Sequence, residues 1–358
     1  MKRYAILFAL VFIVSLAVPA VLTFAQENVT LTIAVVNNPD QRKLLELSDK
    51  FQAQHPTIKL SFVMLPENEL RDRVTTDIST KAGSFDIVQI GTYETPVWGK
   101  NGWLASVDDL MQQYPDNAQP NYDVNDLIKG IRLGLSDGGK LYAVPFYGES
   151  SMLFYNKKMF AAAGLKMPAE PTWDQVREFA KKLHNPAKKQ YGIALRGLPG
   201  WGEILAPLDT VINTWGGKWF DQDWQPQLTA PEFKDAVSFY VQLLKDYVNL
   251  VGRTYGWATI PPGTRYSTYK NANYLKAAKD FAAVTLKSIE SADPTDATRD
   301  PVPYTGVQFV GIPEFQGFGT DVSKEISAAI AGTQTVDQAL ETSQDIVTKA
   351  MTDAGYLK

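Results

Sequence analysis

The sequence predicts an α/β protein, with a parallel sheet sheathed by helices and enough further chain for a second domain. Three observations lead there. Strand-like and helix-like segments alternate between Leu31 and Ile90. A second helix–strand series starts near Thr172. At 358 residues the chain is longer than one core usually serves.

The elements follow in order. Leu31–Val36 is a short β-branched run. Asn38 is a good helix N-cap with Pro39 in the first turn, and Leu44, Leu47 and Phe51 share a face of the helix that His55-Pro56 stops. Ile58–Leu65 is the second strand. Leu70, Val74 and Ile78, four apart, mark a second amphipathic helix ending near Gly83. Phe85–Ile90 is the third strand, closed by Gly91. Strands and helices alternating at these lengths imply a parallel sheet covered on both faces. A Trp-, Tyr- and Asn-rich stretch runs from Tyr93 to about Tyr122. Leu141–Tyr147 and Met152–Tyr155 read as extended segments around Gly148-Glu-Ser-Ser151.

Thr172 and Gln175 form a capping box ahead of a stripe of Val176, Phe179, Ala180 and Leu183. Tyr191–Leu195 reads as a strand, and Phe233, Val237, Tyr240, Leu244 and Tyr247 as a helix. Past Gly252 come a Pro-Pro-Gly turn, a helix near Tyr274–Ile289, a Pro-rich link from Pro294 to Pro303 and two C-terminal helices. There is no internal repeat.

The first residues set the compartment. Lys2 and Arg3 precede an apolar stretch from Tyr4 to about Ala25, and Thr23-Phe24-Ala25 places small residues where a signal peptidase reads them. Residues 1–25 are therefore expected to be an export signal cleaved near Ala25. Net charge is −4 with no long basic run, which argues against nucleic acid or anionic lipid as a partner. The absence of cysteine removes disulfides, thiolate metal sites, a cysteine nucleophile and a lipid-anchored cysteine. An exported chain without that anchor points to the periplasm.

The chain has 16 Tyr, 17 Phe and 8 Trp, and several stand in loops beside acids and amides, where a polyhydroxyl ligand finds what it needs. Tyr93-Glu94 follows a strand end, Tyr147 precedes Glu149, and Arg196-Gly197 leads into Gly200-Trp201-Gly202. Ligands of open α/β sheets sit at the carboxyl ends of strands. Aromatic faces pack on the C–H faces of a polyol while acids, amides and guanidinium groups bond its hydroxyls. The ordinary alternative for any one of these rings is a place in the core or at its rim.

Enzyme chemistry is poorly served. Only His55 and His184 exist, each at a helix end near a proline, so a Ser-His-Asp triad or a histidine metal site is disfavoured. The pairs Gly138-Gly139 and Gly216-Gly217 lack phosphate-loop spacing. No cofactor or metal is expected. The enzyme alternative is a glycoside hydrolase with Glu94 and Glu149 as its acid–base pair.

A set of stretches, in order, covers most of the chain after the export signal: Ile90-Gly-Thr-Tyr-Glu94 with Asn101-Gly-Trp103, Val144-Pro-Phe-Tyr-Gly-Glu-Ser-Ser-Met152, and Leu195-Arg-Gly197 with Pro199-Gly-Trp-Gly202. Asn213-Thr-Trp-Gly-Gly217 with Trp219-Phe-Asp221, Gly256-Trp257 with Pro261-Pro-Gly-Thr-Arg265, and Val307-Gln-Phe309 complete it. On these the chain resembles the family 1 extracellular solute-binding proteins of ATP-binding-cassette (ABC) sugar importers, above all the sugar-alcohol (mannitol or sorbitol) branch.

The resemblance implies a two-lobe flytrap fold that closes on a sugar or polyol and presents the closed form to a membrane permease, as a monomer. It implies residues 26–150 as mainly lobe 1, 151–252 as lobe 2, and 253–358 as a helical segment returning across the hinge. It places Glu94, Tyr147, Glu149, Arg196, Trp201 and Trp257 at or near the cleft. Trp201 and Tyr147 would stack on the ligand, Glu94 and Glu149 accept hydroxyl protons, and Arg196 donate from the second lobe.

One departure stands out. In the family, a further stretch of the second lobe follows the helix that ends here at Lys245-Asp-Tyr247, whereas this chain runs directly into Val248-Asn-Leu250. The second lobe is therefore expected to be incomplete and the first to survive better. The remaining alternative is a remnant that no longer binds ligand.

Overall fold

A computed structural model describes residues 28–116, 122–146, 148–247, 263–294, 296, 298–305 and 309–358. The export signal, Tyr147, Trp257, the Pro261-Pro262 pair and the junction after Tyr247 lie outside these residues.

Strand β1 (Val29–Val36) is the middle of a three-stranded parallel sheet, flanked by β2 (Ile58–Leu65) and β3 (Ile87–Val88). Val29 pairs with Ile58 and Ile33 with Ile87. Between these strands run α1 (Pro39–Gln54) and α2 (Glu67–Thr80). Asn38 caps α1 by accepting from the Gln41 amide, as its side chain suggests. Helix α2 buries Leu70 and Val74 against Ala34 and Val36, with Val97 and Trp98 completing that cluster. It ends on Lys81, whose φ of 55° gives a left-handed cap two residues before Gly83.

Two expectations about this sheet need correction. Strand β3 is a short piece of the run Phe85–Ile90. The side chains of Asp86 and Gln89 accept from the Thr32 and Val36 amides of β1, at 2.7 and 2.8 Å, and so take over the ends of the ladder. Helix α1 does not bury its apolar stripe: Leu44, Leu47 and Phe51 are exposed, and so is Leu45. The first lobe therefore also carries uncovered apolar surface.

The aromatic stretch after β3 holds α3 (Glu94–Lys100) and α4 (Val107–Gln113), followed by α5 (Lys129–Gly134) and a hairpin of β4 (Ser136–Asp137) and β5 (Lys140–Leu141). The pairing ends where the Tyr142 amide donates to the Leu135 carbonyl at 2.9 Å. Among the described residues, 143–146 and 152–155 have no strand beside them, and Val144, Phe146, Phe154 and Tyr155 are exposed.

The next series is helical: α6 (Lys157–Ala162), α7 (Trp173–Leu183), α8 (Leu205–Trp215) and α9 (Pro231–Tyr247). The Thr172–Gln175 capping box opens α7. Residues 191–195 form no strand. The Gly192 and Ile193 amides point instead at the Tyr247 carbonyl, at 3.0 and 3.4 Å. Gly192 lies so close to α7 that a Cβ there would sit 1.9 Å from the Ala180 carbonyl oxygen.

The expected helix at Tyr274–Ile289 is two helices, α10 (Ala272–Ala277) and α11 (Ala282–Ser291), broken at Lys279-Asp280. Finally α12 (Phe315–Ala331) and α13 (Val336–Asp353) pack on each other and on α9.

The largest apolar cluster joins α8, α9, α12 and α13 through Leu208, Ile212, Phe233, Tyr240, Phe315 and Val347, all buried. A second cluster sets α5 and Leu141 against Tyr269, Ala282 and Ile289. The C-terminal segment thus divides, α10 and α11 on the β1–β5 side and α12 and α13 on the α8–α9 side.

Candidate functional site

The two sides meet where β3 ends and α3 begins. Tyr93 projects from the first side into the largest apolar cluster of the second. Its ring lies 5.0 Å from Trp201 and 5.6 Å from Phe315, and its hydroxyl donates to the Ile312 carbonyl at 2.8 Å. Burial, helped by the neighbouring Glu94 charge, pushes the Tyr93 hydroxyl well above the ordinary tyrosine range.

Glu94 opens α3 and is only 1% exposed. One carboxylate oxygen accepts from the Gly91 amide at 2.7 Å and the other faces the Arg71 guanidinium at 2.9 Å. Arg71 also grips Glu67, at 2.7 and 3.0 Å, and donates to the Gln89 carbonyl. A buried carboxylate is tolerable because it is paired and hydrogen-bonded in this way. The guanidinium lies 5.8 Å from the Trp201 ring.

The expected site residues fall into three groups. Glu94 and Trp201 come together at this junction, linked by Arg71 and Tyr93. Trp201 is 5% exposed, packed among Tyr93, Phe309, Phe315 and Arg71. Arg196 stands beside it, exposed, and donates to the Gly202 carbonyl at 3.1 Å. Glu149 is exposed on the segment after the β4–β5 hairpin. Tyr147 and Trp257 lie outside the described residues.

Sequence reading missed Arg71 and Glu67. The signal was present, since Glu67, Arg71 and Thr75 recur every four residues along α2, but an i,i+4 Glu–Arg pair ordinarily marks a solvent-facing helix. Among the described residues no group of His, Asp and Glu could hold a metal ion, and no helix is long and apolar enough to cross a membrane.

The comparisons with known proteins agree with one another. Residues 37–262 match the family model of the bacterial extracellular solute-binding proteins. The mannitol-binding protein of Pseudomonas aeruginosa is 38% identical over an alignment of 427 residues that covers 93% of this chain and 96% of that one. That alignment is longer than this 358-residue chain, so the relative carries stretches with no counterpart here. A crystal structure of an ABC transporter solute-binding protein from Agrobacterium vitis with bound D-mannitol is 40% identical. Its TM-score is 0.84, with 92% of this chain and all of that one covered. A ribitol complex from Agrobacterium radiobacter shares the fold at 21% identity and a TM-score of 0.65, over 90% of this chain and 99% of that one. The helix-rich α/β fold is thus that of the two-lobe binding proteins, and this chain belongs to the bacterial extracellular solute-binding protein family.

Proposed function

We propose that this chain is the substrate-binding component of an ABC importer for sugars or sugar alcohols, with a hexitol such as mannitol as the first candidate ligand. The observation that carries the proposal is the joint likeness, over nine-tenths of the chain, to a mannitol-binding protein and to a structure holding D-mannitol. The reading includes export with cleavage near Ala25, residence in the periplasm as a monomer, a membrane permease as partner, and no catalysis, metal, cofactor or nucleic acid.

The ligand site we propose lies between the lobes and uses Glu94, Tyr147, Glu149, Arg196, Trp201 and Trp257. Closure requires a ligand that touches both lobes, because only differential affinity for the closed form shifts the population. Two features of the arrangement bear on the roles. The Glu94 oxygens are occupied by Arg71 and the Gly91 amide, which suits an anchor of the pocket wall better than a glycosidase acid. The Trp201 faces are covered by Tyr93, Phe309, Phe315 and Arg71, which suits a ring that shapes the pocket wall better than one that stacks on a sugar.

The test is thermal unfolding of residues 26–358 with and without mannitol, sorbitol, xylitol, maltose and glucose. A ligand at ~100 times its dissociation constant adds ~2.7 kcal/mol. A transition raised by mannitol or sorbitol is the expected outcome. A transition that none of the five moves supports the second reading, a remnant without binding, which the long alignment and the uncovered apolar side chains favour.

A further inference from the structure

Helix α2 has two working faces. Leu70 and Val74 pack on the sheet. On another face Asn68, Arg71 and Thr75, spaced three and four apart, all reach the opposite lobe. Asn68 Nδ2 donates to the Pro199 carbonyl at 3.2 Å. Arg71 lies over Trp201. Thr75 Oγ1 donates to Gln316 Oε1 at 2.9 Å. The approach is tight: Gly200, at φ 138°, has its missing Cβ only 2.5 Å from Asn68 Oδ1. Its amide in turn donates to Ser323 Oγ on α12 at 2.7 Å.

We propose that this face of α2 is a closure seam with Arg71 as its positioning residue, holding Trp201 and the 199–202 loop against the first lobe. The proposal deepens the polyol-binding reading and rests on it for its affinity arm. Glu67, Glu94 and the Gln89 carbonyl hold the guanidinium in place, with its central carbon over the Trp201 ring at 5.8 Å from the centroid. Arg71 therefore acts on the ligand through Trp201. A contact made in the closed form and lost on opening raises ligand affinity without touching ligand, because it enlarges the closed population.

The experiment compares the wild type with Arg71→Met, Arg71→Lys, Trp201→Phe and the Arg71→Met/Trp201→Phe double variant. Arg73→Met, on the exposed side of the same helix, is the control. Mannitol affinity is measured by calorimetry, and the radius of gyration without ligand by small-angle X-ray scattering. The expected result is a dissociation constant raised about tenfold in Arg71→Met, the usual scale of coupling between sites. Arg71→Lys fails to restore it, Arg73→Met leaves it unchanged, and the Arg71 effect shrinks when Trp201 is already Phe. Ligand-free Arg71→Met is expected to be more expanded than wild type.

Affinity equal to wild type in Arg71→Met overturns the seam, as does an Arg71 effect that simply adds to that of Trp201→Phe. A wild type that binds none of the sugars or polyols defeats the polyol reading instead. The seam then stands or falls on scattering alone, with equal ligand-free radii overturning it. Should Arg71→Met not fold, Asn68→Ala takes its place, with the same affinity loss and expansion expected and their absence overturning the seam.

Discussion

Asp209 is a carboxyl group placed inside the largest apolar cluster. It is 1% exposed; one oxygen accepts from Trp219 Nε1 at 3.2 Å, and the other has no hydrogen-bond partner among the described residues. Burial raises its pKa well above the ordinary 3.8, so the folded protein holds it neutral where the unfolded chain ionises it. The unfolded state then binds fewer protons, and stability falls as pH rises from about 4 toward the folded-state value. Asp209→Asn removes that dependence. The expected outcome is a melting-temperature gap in favour of the Asp209→Asn variant that widens as pH rises above the ordinary 3.8, and a gap independent of pH would refute the assignment. Tyr93 offers a second test at this scale. Tyr93→Phe removes one of two donors to the Ile312 carbonyl, which keeps the Phe315 amide at 3.2 Å, at a cost of roughly 0.5–1.5 kcal/mol. Chemical denaturation should show that loss with no change in slope.

Helices in this protein are set by local signals, their burial by distant ones. Thr335 and Gln338 form a capping box at α13 like the one at α7, and both boxes have the reciprocal hydrogen bonds their spacing implies. Thr335→Ala is expected to cost about 1 kcal/mol, read as a melting temperature lower by roughly 2–4 °C. Helix α1 shows the opposite case. Its cap and length follow from Asn38, Pro39 and His55-Pro56, yet Leu44, Leu45, Leu47 and Phe51 stay exposed. Leu47→Glu with Phe51→Glu should therefore cost less than about 0.5 kcal/mol and reduce binding of a hydrophobic dye. A destabilisation of several kcal/mol would show that the stripe is covered in solution.

Among the described residues, several uncovered apolar side chains lie on extended segments that lack neighbouring strands. Residues 143–146 and 152–155 run with no strand of the described residues beside them, 191–195 turns its first amides to the end of α9, and β3 pairs with β1 alone among the described strands. A relative whose alignment outruns this chain has more polypeptide to place beside such edges. A chimera carrying the extra segment of the Pseudomonas aeruginosa protein between Tyr247 and Val248 is expected to unfold more cooperatively and bind less hydrophobic dye. An unchanged transition would mean that those edges are satisfied without it.

Read alone, the sequence settled what depends on neighbours in the chain. The alternation of β1, α1, β2 and α2, the caps at Asn38 and Thr172, and the four-residue apolar spacing of α2 all arise from steric and hydrogen-bonding preferences within a few residues, and motif order supplied the family. Tertiary structure alone decided the pairings. Whether Tyr191–Leu195 becomes a strand depends on a partner far off in the chain, and a β-prone run without one has no ladder to join. The burial of Glu94, the capture of Trp201 and the seam along α2 were equally illegible. A carboxylate in a loop and an i,i+4 Glu–Arg pair look the same in sequence whether they face water or an opposing lobe, and only the packing of distant segments against them makes the difference.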